Sequence, residues 1–185
     1  RLIENYVVYA NLELLNEDET RLENLRQGRT EYPGVHIGQH AEDVARQHHR
    51  QNDLRLDMPD FCEAVAMDAD NLAKIVQEIT SNAFKFSRAG TPVEVHITCD
   101  LPDALRLVIT DYGVGMSATE IRSVGAYMQF QRAFLEQQGI GFGLYISKRI
   151  IELHDGMFEI TSEPSEFTTI SMTIPFIKSS DNGSY

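Results

Sequence analysis

Leu72, Ile75, Val76, Ile79, Ala83 and Phe86 fall on one stripe of a helix over residues 71–87, because apolar residues three and four apart share a helical face. Such a helix needs a surface on which to bury that stripe, and the chain supplies a flat one directly downstream. Ala89-Gly90 breaks the helix, and Val93, Val95 and Ile97 then alternate as a strand does. Residues 105–110 form a second strand, and the short Leu101-Pro102-Asp103 connection makes the pair an antiparallel hairpin. Upstream, residues 36–51 read as helix and 53–57 as a short strand ended by Pro59. Downstream, Ser117 and Glu120 have the spacing of a capping box and open a short helix. Residues 144–153 make another amphipathic helix, and alternation returns in 157–160 and 168–174, with Pro164 and Ser165 between. This mixture predicts an α+β fold: a two-layer sandwich with helices on one face of a mixed, largely antiparallel sheet.

Residues 1–27 read as one further helix. Leu2, Tyr6, Tyr9, Leu12, Leu15, Leu22 and Leu25 keep helical spacing, and Gly28 stops it. Its stripe cannot be buried alone, so it needs a partner helix from the same protein or another subunit. The division expected is 1–28 helical, 29–34 linker with Pro33, 35–178 globular and 179–185 a disordered tail. The chain starts at Arg1 with neither Met nor a signal peptide and reads as a piece of something longer. No apolar run approaches the roughly 18 residues that a membrane span needs. With 16 basic against 28 acidic residues the net charge is −12, which argues against nucleic acid or an anionic membrane surface as the main partner. Cys62 and Cys99 lie in core-like segments and are expected as two separate buried thiols in a reducing cytosol.

Three constellations carry chemistry. Glu78, Asn82 and Lys85 stand at i, i+4 and i+7 and are expected on one stripe opposite the apolar one. A carboxylate, an amide oxygen able to ligate Mg²⁺ and an ammonium suit a magnesium–triphosphate site. A solvated side-chain ladder uses the same spacing, and alone the pattern favours that plainer reading. Asp111-Tyr112-Gly113-Val114-Gly115-Met116 follows a strand directly. Its glycines permit a tight turn with close backbone approach to a ligand, and its aspartate can accept from an exocyclic amine such as adenine N6. An ordinary glycine turn competes, as does a dinucleotide fingerprint, although the preceding hairpin is the wrong context for the latter. Gly139-Ile140-Gly141-Phe142-Gly143-Leu144 feeds a helix whose entrance exposes backbone N–H groups, which suits a polyphosphate. A flexible surface linker is its alternative, and no Walker loop occurs in the chain.

In their order, these segments resemble the nucleotide boxes of sensor histidine kinases. Residues 78–87 are similar to the N box, 111–116 to the G1 box and 139–144 to the G2 box, with Phe130, Arg132 and Phe134 where the F box falls. His154-Asp155-Gly156, Ser162 and Ile174-Pro175 resemble the closing strands, and residues 1–11 resemble the second helix of the family's dimerisation hairpin. The resemblance, spanning about residues 35–178, implies a Bergerat-type ATP fold shared with gyrase, mismatch-repair ATPases and the large heat-shock chaperone. It implies ATP and Mg²⁺ as cofactors. Asn82 would ligate the metal, Asp111 bind adenine, and Gly113 and Gly115 shape the base pocket. Lys85, Gly139, Gly141 and Gly143 would hold phosphates, and Arg132, in a lid over 116–138, would reach the γ-phosphate. Glu78 would orient or deprotonate an acceptor imidazole, or, in an ATPase clamp, activate water; a serine kinase or nucleotide-binding regulatory module is the further alternative. His36, His40, His48, His49, His96 and His154 all lack acceptor context, and His48-His49 reads as solvated surface. The acceptor helix is therefore expected before Arg1, on the same protein or a dimer mate. The implied partners are that helix and a response-regulator receiver domain, in a cytoplasmic homodimer whose parent is membrane-anchored or not.

Overall fold

A computed structural model describes residues 2–15, 19–124 and 142–177. Among them lie helices α1 (Leu2–Leu15), α2 (Glu19–Arg26), α3 (Pro33–Gln47), α4 (Ala69–Phe86), α5 (Ala118–Ser123) and α6 (Phe142–Leu153). The strands are β1 (Leu54–Asp57), β2 (Val93–Thr98), β3 (Ala104–Asp111), β4 (Phe158–Glu163) and β5 (Phe167–Pro175). They form one sheet in the order β1-β2-β3-β5-β4, with β1 and β2 parallel and every other pair antiparallel. The expected α+β sandwich, with a mixed and largely antiparallel sheet, is the architecture found.

Alternation decides which face is covered. Val93, Val95 and Ile97 of β2, Leu105, Leu107 and Ile109 of β3, and Ile170, Met172 and Ile174 of β5 are all buried. Their register partners agree: Val95 faces Ile109, and Ile109 faces Ile170. Residues of the other parity, such as His96 and Arg106, are exposed. Helices α3, α4 and α6 cover the apolar face, with α4 packed between the other two. Leu72, Ile75, Val76 and Ile79 of α4 are essentially inaccessible, and each such burial contributes about 1.5–3 kcal/mol. The N-terminus of α4 is capped by Asp68, whose Oδ1 accepts from the Asn71 amide at 2.8 Å. The capping box of α5 also forms, since Ser117 Oγ accepts from the Glu120 amide and Glu120 from the Ser117 amide.

Three expectations shift. The helix expected from 36 starts at Pro33, whose fixed φ and missing N–H suit a first helical position, and ends at Gln47, before His49 takes a left-handed φ of 56°. The stretch expected as linker is therefore partly helical, and Thr30 is buried in a bridge to Val65 with its hydroxyl donating to the Met67 carbonyl at 2.7 Å. Cys62 and Cys99 are not separate thiols but a disulfide. β1 runs parallel to β2 with Asp57 opposite His96, so both strands end on the same side. The two Cα atoms lie 5.8 Å apart, inside the bridging range, although 37 residues separate them in sequence.

At the N-terminal end, α1 packs on α6, with Leu12 joining the main core and Val8, Leu22 and Leu25 packed against it. Arg26 fastens α2 to the far end of α6, donating to the Leu153 carbonyl at 2.8 Å and pairing with Asp155 at 2.6 Å. No helix of the described residues is long and apolar enough to cross a membrane.

Candidate functional site

Period-two alternation in β3 puts Asp111 on the same face as Leu107 and Ile109, so its carboxylate enters the core side at the sheet's end. It faces Val93 on one neighbour and Thr168 on the other. There the C-terminal half of α4, the turn after β3 and the start of α6 enclose a cavity of about 120 Å³. Ile79, Ala83, Ile109, Met116 and Ile170 make its walls apolar, while Asn82, Asp111 and Thr168 supply polar atoms.

Asp111 is 7% exposed, and its Oδ1 has no hydrogen-bond partner among the described residues. Burial pushes its carboxyl up to about 6, against the opposing effects of a Gly113 N–H and the Arg50 charge. A buried acceptor left unsatisfied costs about 1–3 kcal/mol, so a donor entering the pocket at this oxygen would be stabilised.

The turn carrying Asp111 is held on both sides. The Val114 amide donates to the Phe86 carbonyl at 3.1 Å and Ser87 pairs with Gly113, so the end of α4 is one wall. A side chain at Gly113 would strike the Phe86 carbonyl. Gly115 has φ +63° and lies against the Glu163 carbonyl, so only glycine fits either position. On the other side Ser165 N donates to Val114 O at 2.7 Å and Met116 N to Ser162 Oγ at 2.7 Å. Ser162 Oγ in turn lies 3.0 Å from Thr168 Oγ1.

The Glu78, Asn82 and Lys85 stripe is not the open face expected of it. Glu78 is 6% exposed, Asn82 half-buried and Lys85 exposed. Asn82 lines the cavity, whereas Lys85 stands outside it with Nζ 4.8 Å from the Phe86 ring centroid. Glu78 Oε1 accepts from Lys74 Nζ at 2.7 Å, and the same ammonium donates to Asn5 Oδ1 of α1 at 2.5 Å. Gly143, in the first turn of α6, lies so close that a Cβ there would collide with the Glu78 carboxylate. The reason is packing: α6 and α1 cover the flank of α4 that an isolated helix would leave in water. Gly139, Gly141, Arg132, Phe130 and Phe134 lie outside the described residues. His48 is only half-exposed, with Nε2 3.1 Å from Ser81 Oγ and its ring stacked on Phe84, so of the pair expected at the surface only His49 is exposed.

No motif marks Arg50 or Thr168. Thr168 is legible only through register, as the strand partner of Asp111. Arg50 follows two histidines in a polar run, yet is 9% exposed and donates to carbonyls at the end of α4.

One helical layer on a mixed sheet, with a buried acceptor in an apolar pocket beside a glycine turn, defines an ATP-binding α+β domain. The chain belongs to the histidine kinase-, DNA gyrase B- and HSP90-like ATPase family, whose profile matches residues 67–178. Among curated relatives, the non-motile and phage-resistance protein of Caulobacter vibrioides is 32% identical over 154 residues, covering 78% of this chain and 18% of its own length. Sensor histidine kinase RcsC of Salmonella typhimurium is 34% identical over 122 residues, covering 63% of this chain and 12% of its own. The chain thus spans less than a fifth of either relative. Among solved structures, the mycobacterial sensor histidine kinase MprB superposes with a TM-score of 0.59 at 27% identity, covering 76% of this chain and 93% of that one. The Acinetobacter baumannii histidine kinase AdeS shares the fold at a TM-score of 0.66 and 17% identity, over 95% of this chain and 77% of its own.

Proposed function

We propose that this chain is the catalytic part of a two-component sensor kinase, moving the γ-phosphoryl of Mg·ATP to a histidine outside these 185 residues. The observation that carries the reading is the buried Oδ1 of Asp111, which has no partner among the described residues and stands in an apolar pocket. Adenine offers that oxygen its N6 amine, and its ring plane suits the Ile79, Met116 and Ile170 walls. Asn82, at the same cavity, supplies an uncharged oxygen to Mg²⁺. Gly143 with Gly139 and Gly141 holds the phosphates at the entrance of α6, with Lys85 and Arg132 neutralising charge. Bound Mg²⁺ would screen the triphosphate; the protein's own work is positioning, because phosphoryl transfer passes through a loose transition state.

Glu78 fits an acceptor-side role only after a rearrangement. Its carboxylate is held by Lys74 and covered by Gly143, so orienting an imidazole requires that contact to open. The same enclosure weighs against the clamp reading, in which Glu78 activates water. Residues 1–28 are read as the second helix of a dimerisation hairpin, joined by 29–34 to a catalytic domain over 35–178, within a cytoplasmic homodimer. Its partners are the acceptor helix and a receiver domain.

The test is incubation with γ-labelled ATP, alone and then with the upstream helix of the parent protein. Acid-labile label on the supplied helix, and none on this chain alone, is the expected outcome. Acid-stable label would assign a serine kinase instead, and steady phosphate release without acceptor would assign the ATPase clamp.

A further inference from the structure

Arg50 spends almost its whole guanidinium on one stretch of backbone. Nη1 donates to the Phe84 carbonyl at 2.8 Å, the Ser87 carbonyl at 3.1 Å and Ser87 Oγ at 3.0 Å. Nη2 donates to the carbonyls of Arg88 at 2.6 Å and Thr91 at 3.0 Å. Nε is held by Asp53 Oδ2 at 2.6 Å, and that oxygen also accepts from the Gly90 amide at 2.9 Å. The guanidinium carbon sits 5.0 Å from the Phe84 ring centroid. These acceptors lie where α4 runs out of its own N–H donors. A planar fork satisfies them together, whereas a lysine, with all its donors on one nitrogen, does not reach across them.

That helix end is a wall of the nucleotide pocket. The Phe86 carbonyl, between two carbonyls that Arg50 contacts, accepts from Val114, and Ser87 pairs with Gly113. Arg50 does not line the cavity; it acts through α4.

We propose that Arg50 is the positioning residue of the base half of the nucleotide site, setting where α4 ends and thereby where the Asp111 turn stands. Its ligand, adenine, rests on the function proposed above; its geometry does not. Two further observations agree. The Arg50 charge favours ionised Asp111, and the hydrogen bond from Arg50 lowers the pKa of Asp53 below the usual carboxylate value, as a locked pair requires.

The experiment compares Arg50→Lys with the unaltered chain in two readouts. Without nucleotide, amide hydrogen exchange at Val114 should quicken on the order of tenfold, while β5 amides keep their rates. With nucleotide, ATP affinity should fall on the order of tenfold and GTP affinity should not move, since the loss is of base discrimination. Unchanged Val114 protection overturns the proposal, and so does a loss shared equally by ATP and GTP in a protein whose unaltered form prefers ATP. Faster Val114 exchange in a protein whose unaltered form shows no preference for ATP supports positioning and instead refutes the adenine reading. If Arg50→Lys lowers protection throughout, Asp53→Asn decides, because it frees only the Nε anchor. Faster exchange confined to Val114 and the end of α4 then supports the proposal, and unchanged exchange there overturns it.

Discussion

Asp111 is held where a carboxylate is least comfortable, 7% exposed and with its Oδ1 without a hydrogen-bond partner among the described residues. Its pKa is raised from 3.8 to about 6, so the folded state binds this proton more tightly than the unfolded chain does. The sign follows by linkage. Asp111 contributes most to stability below about pH 3.8 and loses that contribution as the pH rises through about 6. The adenine recognition proposed for Asp111 would run the other way, because the ionised carboxylate is the better acceptor. ATP affinity should therefore strengthen between pH 5 and 7 relative to Asp111→Asn, in which the step is absent; parallel titrations of both proteins cancel the nucleotide's own ionisation. A constant ratio across that range would remove Asp111 from the base site. The unaltered protein should also prefer ATP over GTP on the order of 10- to 150-fold, the worth of a charge-assisted hydrogen bond, and equal competition would contradict the assignment.

Among the elements, α4 and α6 meet through Gly143 and Glu78. No positive φ is required at Gly143; space is what demands glycine there, since a Cβ would collide with the Glu78 carboxylate. Gly143→Ala should lower stability by about 1–3 kcal/mol, the usual cost of overpacking, as read from urea unfolding. Unchanged stability would mean that α6 moves away freely. The Cys62–Cys99 link lies at the other end of β2, since Thr98 pairs with Arg106 while Val93 pairs with Asp111. Replacing both cysteines with serine should leave ATP affinity within about twofold, because a strand of this length places about 15–20 Å between the two ends. Elements of this kind were legible to different degrees. The β2–β3 hairpin and the Ser117 capping box follow from local patterns of alternation and capping, and the structure has both. The start of α3 did not, because Pro33 reads equally as a linker residue until Thr30 is seen bridging Val65.

At the scale of the whole molecule, the N-terminal helix reaches the helical layer over the sheet through a polar chain of Asn5, Lys74 and Glu78. Removing the ammonium takes an ion-pair partner from a carboxylate that is 6% exposed. Lys74→Met should cost about 3 kcal/mol, the lower end for a broken buried pair because Lys74 keeps some solvent contact, and Glu78→Gln should recover part of it. Additive losses in that double-mutant cycle would show that the pair is not coupled. This chain also explains how Glu78 differs from its neighbours in the proposed site. Asn82 stands in the cavity, but Glu78 is tied to α1.

Local chemistry determined a good deal by itself. The apolar stripe of α4, the alternation of β2 and β3, and the glycines flanking Asp111 each follow from periodicity or φ preference acting over a few residues, so they can be read in order along the chain. Tertiary structure alone decided what depends on residues far apart in sequence. It buried Glu78 beneath α6 and α1, joined Cys62 to Cys99, set Thr168 beside Asp111, and turned Arg50 from a residue in a polar run into the clasp at the end of α4. The physical reason is common to all four. Burial and hydrogen-bond satisfaction are settled by which surfaces meet, and no local spacing states which surface will cover a given side chain.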